Sequence, residues 1–424
     1  MRLSATRLFY QFAGVHSLLI GLLPFYLPAL MLQNELTLVD IFWFIALNGV
    51  GYLLTLYIWD RIRQHLGWRL VIAVSFILEL AVVGSIVADS TLSAIHLIAL
   101  LNGAYGCFFW MSQRLLFVQC SDPHNTGNKL GNFQIVVMIL LKVGILTGGY
   151  LWEMWGAMSV FWVTLSLVFP AVLYHLCSRL PTDLNASIES PLGLKAMVTY
   201  RDKNRSRSVF LGDGLFLFAE SYLWVMTLYF ISGQDLSMLG VLVVSLSTLL
   251  AILFYVIKNR LDHLNPQRVY CLAVLGYSLS WFLRALVDVD SNDFWLYPMV
   301  VVIGFLTAFF RLGFNKRFFD LSKQKNTHDY IVLKSYYSQF GACIFYGLMG
   351  IALIVWSGSL SNPVSGLILD RLENPIVALQ WCYWVMTPTA LIYLLYRLTA
   401  FEAGNKDNRT APIQVETGPE KIAS

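Results

Sequence analysis

Four ionisable side chains lie inside long apolar stretches of the chain, namely Glu79, Lys142, Asp213 and Glu220. An ionisable residue at the centre of a bilayer costs roughly 2.5–3.5 kcal/mol even on lenient insertion scales, so each one should face protein and have a partner. A carboxylate in such a place can take up and release a proton, and a lysine can hold an anionic group. The residue types therefore favour proton exchange and anion binding.

Two of these acids share one helical face with two aromatic residues. Asp213, Phe216, Glu220 and Trp224 recur at positions i, i+3, i+7 and i+11, which is one side of a helix. A carboxylate at mid-depth beside aromatic rings suits reversible protonation. We predict that Glu220 is the proton-coupling residue. Asp213 is the second candidate for proton coupling. Its alternative roles are capping the helix or pairing with a gate arginine.

Lys142 lies near the middle of its apolar segment. At about 100° per residue, Gly131 and Gly149 fall within about 20° of it around the helix. Because glycines mark close contacts between helices, this face should point toward protein and not toward lipid. Two interpretations stay open. Lys142 binds an anionic substrate group or pairs with a carboxylate that cycles its proton, or it forms a fixed ion pair between two helices.

The elements that position these residues follow from composition. The chain has 424 residues, of which 57% are hydrophobic and 13% are charged, and its mean hydropathy is +0.64. A soluble domain carries roughly 25% charged residues, so a disordered chain, a disulfide scaffold and a typical cytosolic enzyme are excluded. A polytopic membrane protein remains.

Apolar segments long enough to cross a bilayer recur along the whole chain. Without water, backbone groups in such segments are satisfied only in helices, which predicts an all-α membrane protein. Twelve spans are predicted, at 8–32, 38–59, 69–88, 93–117, 129–152, 155–178, 208–233, 235–258, 268–288, 293–313, 330–356 and 377–398.

The basic residues define an orientation. With the N-terminus inside, all of the 29 lysines and arginines except Lys142, Arg284 and Arg371 fall on the cytoplasmic side, as the positive-inside rule requires. Both termini are then cytoplasmic. The basic cluster at 201–207 is interpreted as a topology signal that touches anionic lipid, so no nucleic-acid partner is expected.

An internal repeat relates the two halves of the chain. At a constant offset of 201 residues, Phe108 and Phe109 match Phe309 and Phe310, and Gly103 matches Gly304. We therefore predict two pseudo-symmetric six-helix bundles at 1–178 and 208–398. A cytoplasmic linker at 179–207 joins them, and a disordered cytoplasmic tail follows at 399–424.

This architecture resembles the major facilitator superfamily of secondary transporters. Asp60-Arg61 match the superfamily's loop motif between helices 2 and 3, although Leu56 replaces its leading glycine. The resemblance implies an inside gate in which Asp60 and Arg61 take part. A second motif, in helix 5, is common in antiporters. It is matched by Gly131, Gly144, Gly148 and Gly149, whereas Leu140 and Ile145 stand where glycine and proline are expected.

The resemblance also implies a central site between the bundles, lined by helices 1, 4, 5, 7, 10 and 11. The residues it places as substrate contacts are Lys142, His16, Asn102, Tyr105, Phe216, Trp224, Gln339 and Tyr346. Arg114 and Arg311 are expected as interfacial anchors or gate partners. Glu79 lies in the peripheral third helix, where a helix–helix contact through Ser75 is the preferred role. Hydrogen bonding within the fold is also the commoner role for a lone histidine such as His16.

We therefore expect a secondary active transporter of a small organic solute, coupled to protons or another ion. The glycine motif slightly favours efflux by antiport. The alternative is symport uptake of an anionic or zwitterionic metabolite, and a non-transporting sensor or scaffold is the second alternative. No P-loop, HExxH or GxSxG motif occurs, so an enzyme, a cofactor and a metal are not expected. We expect a monomer in a bacterial inner membrane.

Overall fold

The computed structural model describes residues 5–89, 92–120, 126–178, 190–261, 266–288, 294–358 and 375–396. Within these ranges the regular elements are helices. The first group comprises α1 Ala5–Leu22, α2 Leu27–Gln33, α3 Leu38–Ala88, α4 Ile95–Cys120, α5 Thr126–Trp155 and α6 Ala157–Cys177. A short α7, Leu194–Thr199, follows. The second group comprises α8 Ser206–Phe218, α9 Trp224–Ile231, α10 Leu236–Leu261, α11 Pro266–Ala285, α12 Leu296–Gln324, α13 Thr327–Gly358 and α14 Pro375–Thr389.

Helix α3 contains two of the predicted spans. Its 51 residues would reach about 76 Å at 1.5 Å per residue, more than twice the hydrocarbon thickness of a bilayer. The helix is broken at Gly67, where φ is 67°, a conformation that favours glycine. This break falls in the predicted loop between the second and third spans.

Two other predicted spans are interrupted. The first consists of α1 and α2, which are bent by 44° around a 3₁₀ turn at Pro24–Tyr26. The seventh consists of α8 and α9, joined by a π-helical turn at Ala219–Leu223. There the N–H of Trp224 donates to the carbonyl of Ala219, five residues earlier, so the helical register changes beside Glu220.

Among the described residues, eight helices are long and apolar enough to cross a membrane, or nine if the bent pair counts as one span. Helices α10 and α11 are not among them, so the count of twelve stays a prediction. The predicted tail at 399–424 and the linker residues 179–189 lie outside the described ranges.

Helices of the two groups contact each other through α13 against α3 and through α10 against α5. Small residues allow the closest approaches. A methyl group on Gly144 of α5 would collide with the carbonyl oxygen of Leu18 in α1, and one on Gly214 of α8 would collide with Ser338 in α13. These helix pairs therefore meet backbone to backbone.

Aromatic clusters at corresponding positions support the internal repeat. His16 stacks on Phe76 with ring centroids 4.0 Å apart and lies 4.6 Å from Phe109. About 200 residues later, Tyr277 stacks on Phe310 at 4.0 Å. Phe76 and Phe109 thus match Tyr277 and Phe310 at the same offset of 201 residues that the sequence predicted.

Candidate functional site

A cluster of buried charges joins helices of the second group. Arg311 of α12 donates from Nη1 to Asp213 Oδ1 at 2.7 Å and from Nε to Glu220 Oε2 at 2.9 Å. Lys334 of α13 lies with its Nζ 3.1 Å from the other oxygen of Asp213. We call Asp213, Glu220, Arg311 and Lys334 the charge cluster. It holds two acids and two bases, so its formal charges cancel.

Two tyrosine hydroxyls complete this arrangement. Tyr393, in the 3₁₀ turn Ala390–Leu395 that follows α14, donates to Asp213 at 2.7 Å. Tyr277 of α11 donates to Glu220. Residues from four elements therefore converge on two carboxylates, which satisfies buried charges that would otherwise be very costly.

The two ends of the charge cluster differ in exposure. The side chain of Asp213 is fully buried and that of Lys334 is 5% exposed, whereas Arg311 and Glu220 are 16% and 19% exposed. Glu220 is therefore the carboxylate that solvent or a solute reaches more readily. Arg311 was expected as an interfacial anchor or gate partner. In the structure it is the shared partner of both acids.

Phe216 and Trp224, the other two predicted site residues of the seventh span, contact the second group of helices. Phe216 is fully buried and packs against Tyr277, Trp281 and Tyr393. Trp224 lies over the guanidinium of Arg284. The predicted substrate role of both rings stays a prediction, and the described contacts are packing contacts.

Three predicted substrate contacts lie on α4 and α13, namely Asn102, Tyr346 and Gln339. Asn102 donates to Asn48 Oδ1 at 3.3 Å. Tyr346 is 1% exposed and donates to the carbonyl of Leu215 at 2.9 Å. Gln339 has a buried Oε1 that accepts no hydrogen bond from the described residues. This oxygen is therefore available to accept a hydrogen bond from a solute.

His16 and Glu79 form a second buried pair, within the first group of helices. His16 Nδ1 lies 2.5 Å from Glu79 Oε2, and its Nε2 lies 2.9 Å from Ser75 Oγ. Ser75 gives its proton to the carbonyl of Ile72, so His16 Nε2 must donate to it. Tyr105 donates to Glu79 Oε1 at 2.9 Å. One proton is thus left between histidine and glutamate.

That geometry fixes the protonation of the pair. A second proton would place two donors face to face, and losing the proton would place two lone pairs face to face. The side chains of His16 and Glu79 are both fully buried, and Tyr105 is 4% exposed. The predicted helix–helix contact through Ser75 and Glu79 is therefore present, and it includes His16.

Lys142 has a different environment. It is half-buried and forms no ion pair or hydrogen bond with the described part of the chain. Glycines of the same helix pack closely, Gly148 against Leu22 and Gly149 against Tyr26. The side-chain surroundings of position 131, the first predicted glycine of the motif, lie outside the described residues.

The predicted gate residues Asp60 and Arg61 differ in their contacts, since only Asp60 bonds to other helices. Asp60 is fully buried and accepts from His328 Nε2 of α13 at 2.7 Å, from the backbone N–H of Leu192 at 2.8 Å and from Arg63 at 3.1 Å. Arg61 stays on its own helix, where it lies over the ring of Tyr57. Asp60 therefore ties α3 to α13 and to the segment before α7.

His328 is held between carboxylates on both sides. Its Nε2 faces Asp60 at 2.7 Å and its Nδ1 faces Asp329 at 3.0 Å. Arg63 Nη2 lies 2.9 Å from the same Nε2, so this nitrogen has both a carboxylate and a guanidinium beside it. Arg114 makes a further contact between the two groups of helices by donating to Ser335 Oγ at 2.7 Å.

Sequence reasoning missed four residues of these sites. Lys334 and His328 stand at the start of a span, where basic residues were taken as topology markers. Tyr277 and Tyr393 are uncharged, so a search for ionisable residues inside apolar segments does not select them. Lys334 could have been found from the sequence, because it lies inside the predicted span 330–356. Lys142 was selected for the same reason.

Helices long and apolar enough to cross a bilayer define a multi-pass membrane protein. The family model described as Major Facilitator Superfamily matches residues 12–346, and the chain belongs to that superfamily. It is a transporter of small molecules and not an enzyme.

Solved structures have the same fold. Two crystal structures of the nucleoside transporter NupG, one of them a single-residue variant, each give a TM-score of 0.61. The variant is 15% identical in sequence, and the alignment covers 94% of this chain and 99% of the variant. The other structure is 14% identical, and the alignment covers 95% of this chain and 100% of that structure. No curated protein sequence matches the chain significantly. At this identity the likeness shows the fold alone.

Proposed function

We propose that this protein is a secondary active transporter that takes up a small organic anion together with protons by alternating access. The observation that carries the proposal is the distribution of charge inside the membrane. The charge cluster and the His16–Glu79 pair are each neutral overall. Lys142 and Arg114 are extra cations that form no ion pair with the described residues. An anionic solute would supply the missing charge.

Proton coupling is assigned to Glu220, with Asp213 as its fixed neighbour. Glu220 is the more exposed acid of the charge cluster, and it shares Arg311 with Asp213. Protonation of Glu220 would free Arg311 for Asp213 or for the solute. Proton uptake and solute binding would then compete for one guanidinium, which is a direct physical form of coupling.

The direction of transport rests on the same charges. The glycine motif favoured efflux by antiport, but Gly144, Gly148 and Gly149 are accounted for by close packing of α5 against α1, Tyr26 and α10. Close helix packing of this kind does not indicate the direction of transport. Symport of an anion with protons neutralises the solute on its way through the bilayer, so we favour uptake over efflux.

The coupling role is tested with Glu220→Gln in proteoliposomes. We expect the variant to lose accumulation driven by a proton gradient and to keep exchange of solute across the membrane. Glu35→Gln is the control, because it removes an exposed carboxylate. Gradient-driven uptake that is unchanged in Glu220→Gln would reject the assignment.

The substrate class is tested by thermal stabilisation of the purified protein. We expect saturable stabilisation by organic carboxylates and none by uncharged nucleosides, the class that NupG's name specifies. Lys142→Gln should weaken the effect, whereas Lys195→Gln, in the exposed part of α7, should not. Stabilisation by nucleosides alone would replace the anion proposal. If no solute class stabilises the protein and none is transported, the scaffold alternative is favoured.

The placement in the membrane is also proposed from charge. The concentration of lysine and arginine on one side supports cytoplasmic termini. The aromatic positions that repeat at an offset of 201 residues support bundles at 1–178 and 208–398 with a linker at 179–207. We propose a monomer in a bacterial inner membrane.

A further inference from the structure

The short helix α7 presents apolar side chains outside the predicted membrane spans. Leu194 and Val198 are 51% and 52% exposed, although both lie in the linker at 179–207, for which a cytoplasmic placement is proposed above. At about 100° per residue the two side chains are about 40° apart around the helix, so they share one side. Isolated exposed aliphatic residues are ordinary, whereas a pair on one side of a helix forms a small apolar face.

The contacts of Met197 define which side of α7 faces the protein. Met197 is 2% exposed, and its carbonyl accepts a hydrogen bond from the hydroxyl of Tyr337 in α13. Leu194 and Val198 lie about 80° from Met197 around the helix. Ala196 is exposed and lies on the side opposite to the apolar pair. A helix lying flat on a membrane beside its protein has this order of sides, with the bilayer at a right angle to the protein and water opposite the bilayer.

Positive charge accompanies the apolar side of α7. Four basic side chains in and after the helix are exposed, namely Lys195, Arg201, Lys203 and Arg205. None of the four forms an ion pair with the part of the chain that the structure describes. The acid of this stretch, Asp202, accepts from Lys325 Nζ at 2.6 Å, so its charge is already compensated. The stretch 194–205 therefore presents four positive charges to a partner.

We propose that α7 is an interfacial helix that docks on a membrane surface containing anionic phospholipid. Leu194 and Val198 enter the boundary between headgroups and acyl chains, and the four basic side chains contact the phosphates. Lys195 lies on the side of α7 away from the protein, where its long stem lets the ammonium reach the headgroups. Each basic residue at an anionic surface strengthens binding about fivefold. Because the apolar and the charged contacts act together, binding requires both.

Docking of α7 reaches the contact between the two groups of helices. The N–H of Leu192, two residues before α7, donates to Asp60 of α3 at 2.8 Å, and Met197 is bonded to α13. A membrane that binds the docked segment more tightly than the detached one stabilises both contacts by mass action. The amide of Leu192 is then protected from hydrogen exchange. This inference depends on the cytoplasmic placement of the linker and not on the proposed solute or coupling ion.

The charged contacts are tested by hydrogen–deuterium exchange of the segment 190–205 in the full-length protein. The protein is reconstituted in nanodiscs of phosphatidylcholine, with or without phosphatidylglycerol. We expect exchange at least fivefold slower in the anionic nanodiscs, and loss of this difference at high salt because exposed charges are screened. Arg201→Gln combined with Lys203→Gln should lose most of the difference. Arg268→Gln, which removes an exposed arginine of α11, is the matched control and should keep it.

The apolar contacts are tested by Leu194→Asn combined with Val198→Asn. We expect faster exchange of the segment in anionic nanodiscs and an unchanged thermal midpoint in detergent, because both side chains are exposed. Ala196→Asn puts the same side chain on the opposite side of α7 and should leave the exchange unchanged. Equal exchange in neutral and anionic nanodiscs overturns the proposal, as does an equal effect of Ala196→Asn and the double variant. Slowing that follows protein concentration instead of lipid charge would assign this side to a second copy of the chain, which also overturns it.

Discussion

Replacing Asp60 with asparagine should detach the segment before α7 from the helices it joins. The carboxylate accepts from His328 at 2.7 Å and from the Leu192 N–H at 2.8 Å, and both partners lie outside α3. Asparagine keeps the size of the side chain but loses its charge. Its NH₂ group would also face a donor at one of the two contacts.

The size of the effect follows from these two bonds. A hydrogen bond to a charged group contributes about 1.5–3 kcal/mol and one between neutral groups about 0.5–1.5 kcal/mol, so losing one bond and weakening the other should cost about 3 kcal/mol. Since 1.4 kcal/mol is a factor of ten, opening of the contact should become about 100-fold more favourable. The Leu192 amide bonds directly to Asp60, so its hydrogen exchange reports the opening.

The assay is hydrogen–deuterium exchange of the segment 190–199, measured by mass spectrometry in membranes or detergent. Arg61→Gln is the matched control, because Arg61 is the next residue and contacts Tyr57 on its own helix. Equal exchange in Asp60→Asn and Arg61→Gln would refute the reasoning. Adding His328→Ala to Asp60→Asn should speed exchange little further, because the two side chains share one contact.

Three further predictions concern stability. Gly144→Ala should lower the free energy of unfolding by about 1–3 kcal/mol because the methyl group overpacks the α1–α5 contact, whereas Gly193→Ala, with open space around it, should leave the thermal midpoint unchanged. Burial opposes ionisation of Asp202, but hydrogen bonds from Lys325 and Ser206 outweigh it and lower its pKa. The stability that Asp202 contributes is therefore present at neutral pH and lost as pH falls through the acid range, so the difference in thermal midpoint between the unmodified protein and Asp202→Asn should shrink on acidification. Replacing both His16 and Glu79 with glutamine should cost less than the sum of the single changes, since each single change strands a buried partner. An additive double variant in a thermal-melt cycle would contradict the shared-proton pair.

The predicted helical segments agree with the structure because they depend on local properties of the chain. A run of apolar residues at membrane length can satisfy its backbone only as a helix, so the predicted span 155–178 appears as α6, Ala157–Cys177. Helical spacing also placed Asp213 and Glu220 on one face, and both reach Arg311. The acids of the charge cluster were therefore accessible to sequence reasoning.

The partners of those acids were not accessible in the same way. Spacing defines a face of one helix but not the helix opposite, so the contact between Asp60 and His328, 268 residues apart, left no local signal. Lys334, near the start of its span, was counted among the cytoplasmic basic residues, which hid its burial. The predicted link between Lys142 and a carboxylate has no counterpart among the described residues.

The π-helical turn at Ala219–Leu223 gives the seventh span two separable ends. A π turn holds one residue more than the α-helical hydrogen-bond pattern allows. Converting the turn to α-helical hydrogen bonding would rotate Trp224–Ile231 by about 100° relative to Ser206–Phe218, because an α-helix turns by about 100° per residue. Glu220 lies within the turn. The acid assigned to proton exchange thus lies at the one point of the seventh span where a change of hydrogen-bond pattern would alter the orientation of Trp224 relative to Asp213.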